Sequence, residues 1–311
     1  MQYIRTLPTI KNINIMNKLF LLIFLILPVF SIGQSIPENV KKTVAFIYAK
    51  NDSGKIVPNG TGFFVGIQNT NDKSNLYAVY LVTAKHVLEK NKNGDYLKEI
   101  QVRLNTKDSL SKSIPVNLYS DGLNKNIFTH KDSTVDIAVI PLFPDTNIFD
   151  FLVLTNEYLT SKSDFKNLNI KEGSEIFFTG MFTPYLGDKR IYPIVRFGKV
   201  ALVTDEKIPW GKGELAELYL AESSSYGGNS GSPVFFYLGA NRGDGSIHVG
   251  PPIIKLAGIM KGYFGENTPI RVIETKKIPV SFRNVGIAAI VPSYLLQEII
   301  FDKELVLKRG F

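Results

Sequence analysis

The chain has 311 residues, 44% of them apolar and 21% charged, which excludes a disordered chain and leaves enough length to bury a sizeable core. Its formal net charge is +8, but residues 1–33 hold Arg5, Lys11 and Lys18 and no acid, so the remainder carries +5. The remaining lysines are scattered among acids, as in Leu97-Lys98-Glu99, so they read as a solvated surface and no nucleic-acid partner is expected. There is no cysteine, which excludes disulfides and a thiol nucleophile alike.

Residues 1–33 read as a targeting segment. Lys18 precedes the apolar run from Leu19 to Phe30, and Ser31-Ile32-Gly33 offers small residues where a signal peptidase inspects the chain. The run is shorter than the ~20 residues a membrane span needs. A signal peptide is therefore expected, starting at Met1 or at Met16. The protein is read as secreted or periplasmic, with no stable membrane insertion once the signal is removed.

From Val40 onward short apolar runs alternate with turn-forming clusters, the pattern of an antiparallel barrel. Strands are expected at 43–48, 62–66, 78–83, 99–104, 114–118 and 137–141. Asn91-Lys92-Asn93-Gly94-Asp95 is faintly like a calcium loop and reads as a turn, since Asn-Gly is a turn pair. His130, beside Lys131 and Asp132, has no motif around it and reads as a surface histidine. Residues 142–171 are polar, contain Pro144 and read as a connection. A second series of strands is expected at 174–179, 194–196, 199–204, 215–220, 232–237, 253–261 and 285–291. Asn241-Arg242-Gly243-Asp244-Gly245 falls in a hairpin loop, where Asp-Gly is an ordinary turn pair. Residues 292–303 read as a helix, with Pro292 at its start and Leu295, Leu296, Ile299 and Ile300 at helical spacing.

Three stretches carry chemistry. Gly227-Gly228-Asn229-Ser230-Gly231-Ser232-Pro233 surrounds a serine with glycines, which let the backbone bend and gather N–H groups into an anion-binding concavity. A serine hydroxyl needs a neighbouring base, and Leu81-Val82-Thr83-Ala84-Lys85-His86-Val87 ends an apolar run on a histidine. Val135-Asp136-Ile137-Ala138-Val139-Ile140 opens another with an aspartate. The order His86, Asp136, Ser230 is that of the chymotrypsin-type serine proteases. Thr83-Ala84-Lys85-His86 resembles that family's Thr-Ala-Ala-His, Asp136-Ile137-Ala138 its Asp-Ile-Ala, and Gly228-Asn229-Ser230-Gly231 its Gly-Asp-Ser-Gly. Gly60-Thr61-Gly62-Phe63-Phe64-Val65 is similar to the strand preceding the histidine, and Gly173 to Gly180 to the strand opening the second barrel. Val87 stands where animal members carry a cysteine, so the resemblance is to the bacterial branch, to glutamyl endopeptidases and the protease domain of heat-shock proteases.

The resemblance covers about residues 40–303 and implies an all-β fold of two antiparallel β-barrels of the chymotrypsin type with a C-terminal helix. The division it suggests is 1–33 signal peptide, 34–150 first barrel, 151–171 connection, 172–291 second barrel, and 292–311 helix and tail. It implies a serine endopeptidase acting on protein or peptide substrates through an acyl-enzyme. His86 would be the base, Asp136 its orienting partner, and Ser230 the nucleophile. The N–H groups of Gly228 and Ser230 would form the oxyanion hole. No metal and no organic cofactor is required. Asn229 departs from the aspartate that animal enzymes pair with a freed N-terminus, so that route of activation is not expected. By family position Ser224 would lie near the base of the primary pocket, with Met260, Lys261 and Gly262 along one wall. The absence of an acid at Ser224 argues against a preference for Lys or Arg. Met260, where glutamyl endopeptidases have histidine, weakens a preference for Glu, and the long segment 263–284 could reshape the pocket. A small or apolar residue is the expected preference. Two other readings stay open: an inactive binding protein on the same fold, and a membrane-tethered protease that retains its apolar segment.

Overall fold

The alternating runs of the first half form one sheet in the computed structural model, which describes residues 36–70, 76–90, 95–120, 122, 124–211, 213–269 and 280–311. The expected signal peptide, most of the turn at 91–95 and the tip of the segment 263–284 lie outside the described residues. Strands β1 (Val44–Lys50), β2 (Ile56–Gln68), β3 (Tyr77–Thr83), β4 (Glu99–Asn105), β5 (Ser111–Asn117), β6 (Phe128–Thr129) and β7 (Ala138–Pro141) pair in the order β5-β4-β1-β2-β3-β7-β6. A further strand, β8 (Leu154–Thr155), pairs parallel with β2. In β4, Ile100, Val102 and Leu104 are buried between half-buried Glu99, Gln101 and Arg103, the period of two that puts alternate side chains on one face. β2 and β3 are instead buried along most of their length, because other elements cover both faces.

The second half closes on itself. β9 (Glu175–Gly180), β10 (Ile194–Leu202), β13 (Tyr219–Glu222), β14 (Pro233–Leu238), β15 (Ile253–Pro269) and β16 (Val280–Pro292) form a closed barrel in the order β10-β13-β16-β15-β14-β9. Its core holds Ile176, Phe178, Tyr219, Val234, Phe236, Met260 and Ile290. The largest of these side chains contribute about 2–3 kcal/mol each by leaving water. The remaining strands, β11 (Ile208–Trp210) and β12 (Glu214–Ala216), form a separate hairpin. The all-β fold of chymotrypsin type is thus present, but its first half closes less completely than expected: β5 and β6 stand at the two ends of an open ladder. Pro115 gives β5 no N–H at that position, and proline is confined to such edges.

Several boundaries differ from the sequence reading. The runs at 194–196 and 199–204 are one strand, β10, because Gly198 lets it pass close to the Glu222 carbonyl and Ser223. The run at 215–220 is instead two strands, since its halves pair with different partners. The connection carries helix α1 (Lys162–Asn167), whose Ser161 and Asp164 close a capping box. At the C-terminus α2 (Ser293–Ile300) is followed by α3 (Lys303–Arg309), where the sequence predicts one helix; Phe301 ends the first and Asp302 caps the second. His130 is not a surface histidine. Its side chain is 15% exposed, Nε2 lies 2.8 Å from Glu298 Oε2 on α2, and Nδ1 accepts the Asp132 N–H.

Residues Glu38–Phe311 cluster as one compact unit. Val44 and Phe46 of β1 pack with Met181 and Ile191 of the segment after β9. Around them Asn105 exchanges two hydrogen bonds with the Ile191 backbone, at 2.9 and 3.1 Å. Arg103 donates to the carbonyls of Gly187 and Asp188. These contacts tie β1 and β4 of the first sheet to the segment after β9.

Candidate active site

β3 and β7 pair with Thr83 opposite Ala138. The chain three residues beyond Thr83 therefore meets the chain two residues before Ala138, and His86 faces Asp136. His86 sits in one turn of 3-10 helix, Lys85–Val87. Its backbone N–H donates to Asp136 Oδ1 at 2.9 Å, and its Nδ1 lies 2.7 Å from Oδ2. The imidazole is 44% exposed, whereas the Asp136 side chain is 5% exposed. Burial pushes the Asp136 carboxyl up, but the charge and hydrogen bond of His86 and the charge of Lys261 outweigh it. They hold the group well below the ordinary carboxylate range. Asp136 is thus an anion that holds His86 at two points, the imidazole through Oδ2 and the backbone N–H through Oδ1.

Ser230 lies in the turn before β14. Gly228 and Gly231 on either side of it have φ of +92° and +85°, conformations that any other residue would strain to adopt. A Cβ at Gly231 would also collide with the Thr61 carbonyl and the Thr83 hydroxyl. The turn is tied down by Thr61, itself fully buried. Thr61 N–H donates to the Ser230 carbonyl at 2.9 Å, and its hydroxyl donates to the Gly228 carbonyl at 2.7 Å. That hydroxyl also accepts the Met181 N–H, while Thr83 Oγ1 donates to the Thr61 carbonyl. Asn229 is buried; its Oδ1 accepts from Tyr226 N–H at 2.8 Å and its Nδ2 donates to the Met181 carbonyl at 2.7 Å. Both ends of this neutral amide are used within the turn. Among the described hydrogen bonds, the N–H groups of Gly228 and Ser230 have no acceptor within the chain.

The Ser230 hydroxyl donates to the Lys261 carbonyl at 3.3 Å, and no described hydrogen bond joins it to His86. Gly231 N–H donates to the Met260 carbonyl, so β15 runs beside the serine. Ser224 is exposed, Gly262 is half-buried, and Met260 is fully buried in the barrel core. Trp210, from the β11–β12 hairpin, leans on Gly262, where a Cβ would meet its ring at 3.3 Å, and packs edge-on against Phe264 at 5.0 Å. Among the described residues no group of three His, Cys, Asp or Glu side chains could hold a metal ion.

Three participants escaped the sequence reading. Thr61 was seen as part of a strand motif, without its ties to the serine turn. Trp210 had no motif around it. Lys261 was placed along a wall, yet its Nζ lies 3.2 Å from Asp136 Oδ2. A signal for Lys261 existed: it ends the apolar run Leu256-Ala257-Gly258-Ile259-Met260, and a lysine in a buried strand needs a partner.

A family profile described as the trypsin-like peptidase domain matches residues 60–240, a stretch that contains His86, Asp136 and Ser230 and stops short of Lys261. No curated protein matches the chain. Among solved structures, that of Deg5 is similar at 18% identity and a TM-score of 0.41, over 72% of this chain and 80% of that one.

Proposed function

Since the chain belongs to the trypsin-like peptidase family, we propose that it is a serine endopeptidase working through Ser230, His86 and Asp136 and an acyl-enzyme intermediate. The observation that carries this reading is the doubly bonded His86–Asp136 pair. With Nδ1–H engaged by the carboxylate, the neutral imidazole presents Nε2 as a base, and half of its surface is open to solvent. His86 takes the Ser230 proton as the hydroxyl attacks a peptide carbonyl, and Asp136 stabilises the imidazolium that results. The carbonyl oxygen gathers charge toward the N–H groups of Gly228 and Ser230, where one donor is worth on the order of 3 kcal/mol. The imidazolium then protonates the leaving amine, and water repeats the sequence on the acyl-enzyme.

One observation favours the competing reading of an inactive binding protein: the Ser230 hydroxyl is bonded to a carbonyl rather than to His86. A turn about χ1 moves a serine oxygen between staggered positions, and such bonds are commonly loose before substrate arrives. Ser230→Ala should lower peptide hydrolysis by about 10⁶-fold, the loss that removing a triad serine brings. A serine-directed phosphonate should label Ser230 alone. Unchanged hydrolysis in the purified variant would remove Ser230 from the chemistry, whereas no hydrolysis by the parent protein and no labelling would establish the inactive reading.

The primary pocket belongs to the same proposal. Ser224 carries no charge, so a small or apolar residue is favoured ahead of the scissile bond. Export is a further part of it, resting on the basic and apolar pattern of residues 18–33. No described helix is long and apolar enough to cross a membrane.

A further inference from the structure

Lys261 is a cation that the chemistry above does not use. It is 9% exposed in the buried part of β15, its Nζ is 3.2 Å from Asp136 Oδ2, and it lies 5.6 Å from the centre of the Trp210 ring. The oxygen it reaches is the one that holds His86 Nδ1, so ammonium and imidazole share a single acceptor. A buried ammonium needs such a partner, and two unlike positions for the proton and the cation on one oxygen compete for its charge.

We propose that Lys261 is a positioning residue of the triad. Its ammonium fixes the Asp136 carboxylate toward His86 and weakens that carboxylate's hold on the imidazolium. The acidic limb of the activity profile then lies lower than with an apolar residue at 261. The inference rests on the reading of His86 as the base.

The other titratable groups around this centre do not supply the same effect. Tyr96 is held above its ordinary value by burial first and then by Glu89, so it is neutral in this range. Lys85 donates to the Ser133 carbonyl, and Asp132 is paired with Lys207 at 2.7 Å. Lys261 alone among the described cations touches Asp136 besides His86.

The test is a titration of the His86 ring by NMR in Ser230→Ala protein, where no turnover is needed. The chain has three histidines, so the signal is identified by its loss in His86→Gln. Lys261→Met and Lys261→Gln should each raise the midpoint by about two pH units, the effect of removing a unit charge roughly 6 Å away at an effective dielectric of about 20. Lys261→Arg should restore it, and in serine-containing protein the acidic limb of kcat/KM should move in step. The fluorescence of Trp210, the chain's one tryptophan, reports whether each variant has folded. An unchanged midpoint in either folded neutral variant overturns the proposal. So does failure of both to fold while Asp136→Asn/Lys261→Met folds, which would make Lys261 a structural counter-ion. If Ser230 fails to take a phosphonate, the peptidase reading falls while the titration still gives its own answer.

Discussion

Thr61 shows how much of the site hangs on one side chain outside the triad. Its hydroxyl donates to Gly228 and accepts from Met181, so it satisfies two backbone groups in a place water does not reach. Thr61→Val keeps the shape and removes both bonds, and each buried group left unpaired costs about 1–3 kcal/mol. The variant should lose stability by that order in denaturant titration. Its kcat/KM should fall while its affinity for a substrate-like inhibitor changes less, because the turn that presents Ser230 is what loosens. Thr61→Ser should recover most of both. A fully active Thr61→Val protein would remove Thr61 from the account. Asn229 is the complementary case, a residue whose neutral amide is spent inside its own turn on Tyr226 and Met181. It offers no buried carboxylate for a docking ammonium to relieve.

At the level of elements, the site rests on the bracing of β1 and β4 against the loop after β9 as well as on the loops that bear the reactive groups. Asn105 at the end of β4 binds both the N–H and the carbonyl of Ile191, and Ile191 packs against Val44 and Phe46. Asn105→Ala leaves the Ile191 N–H and carbonyl without these partners. It should destabilise the fold by about 2 kcal/mol, the lower part of the range for two unpaired groups. Near the unfolding temperature activity should be lost in parallel with stability, whereas at low temperature kcat should stay close to the parent value. A drop in kcat at low temperature with unaltered stability would contradict a purely bracing role. The β11–β12 hairpin acts on the other side, placing Trp210 over Gly262 of β15 and beside Lys261.

Over the whole molecule, acid should act through Asp136. Its folded carboxyl is held below the ordinary value of 3.8, so it contributes stability that is complete above that value and is lost as pH falls toward the folded one. Asp132 is shifted in the same direction, chiefly by Lys207, but its side chain is a third exposed and solvent discounts its share. Denaturant midpoints should therefore decline from about pH 4 to about pH 2 with uptake of roughly one proton. The decline should flatten in Asp136→Asn protein. A slope that persists unaltered in that variant would assign the acid sensitivity elsewhere.

The sequence by itself determined what is local. The apolar alternation of β4 and the glycines that permit positive φ around Ser230 act within a few residues, and both are readable from residue type and spacing; the capping box of α1, although equally local, went unread inside a polar connection. The ordered appearance of His86, Asp136 and Ser230 was legible for the same reason, because each carries a recognisable neighbourhood. Tertiary structure decided the partners. Thr61 and Gly228 are 167 positions apart, and Lys261 and Asp136 are 125 apart, so neither pairing leaves a trace in any window of sequence. The strand boundaries failed on the same ground: residues 215–220 look like one apolar run, but hydrogen bonds to two different partners split it. A residue type states which bonds a side chain is able to make; which of them it does make follows from what the fold brings within about 3 Å.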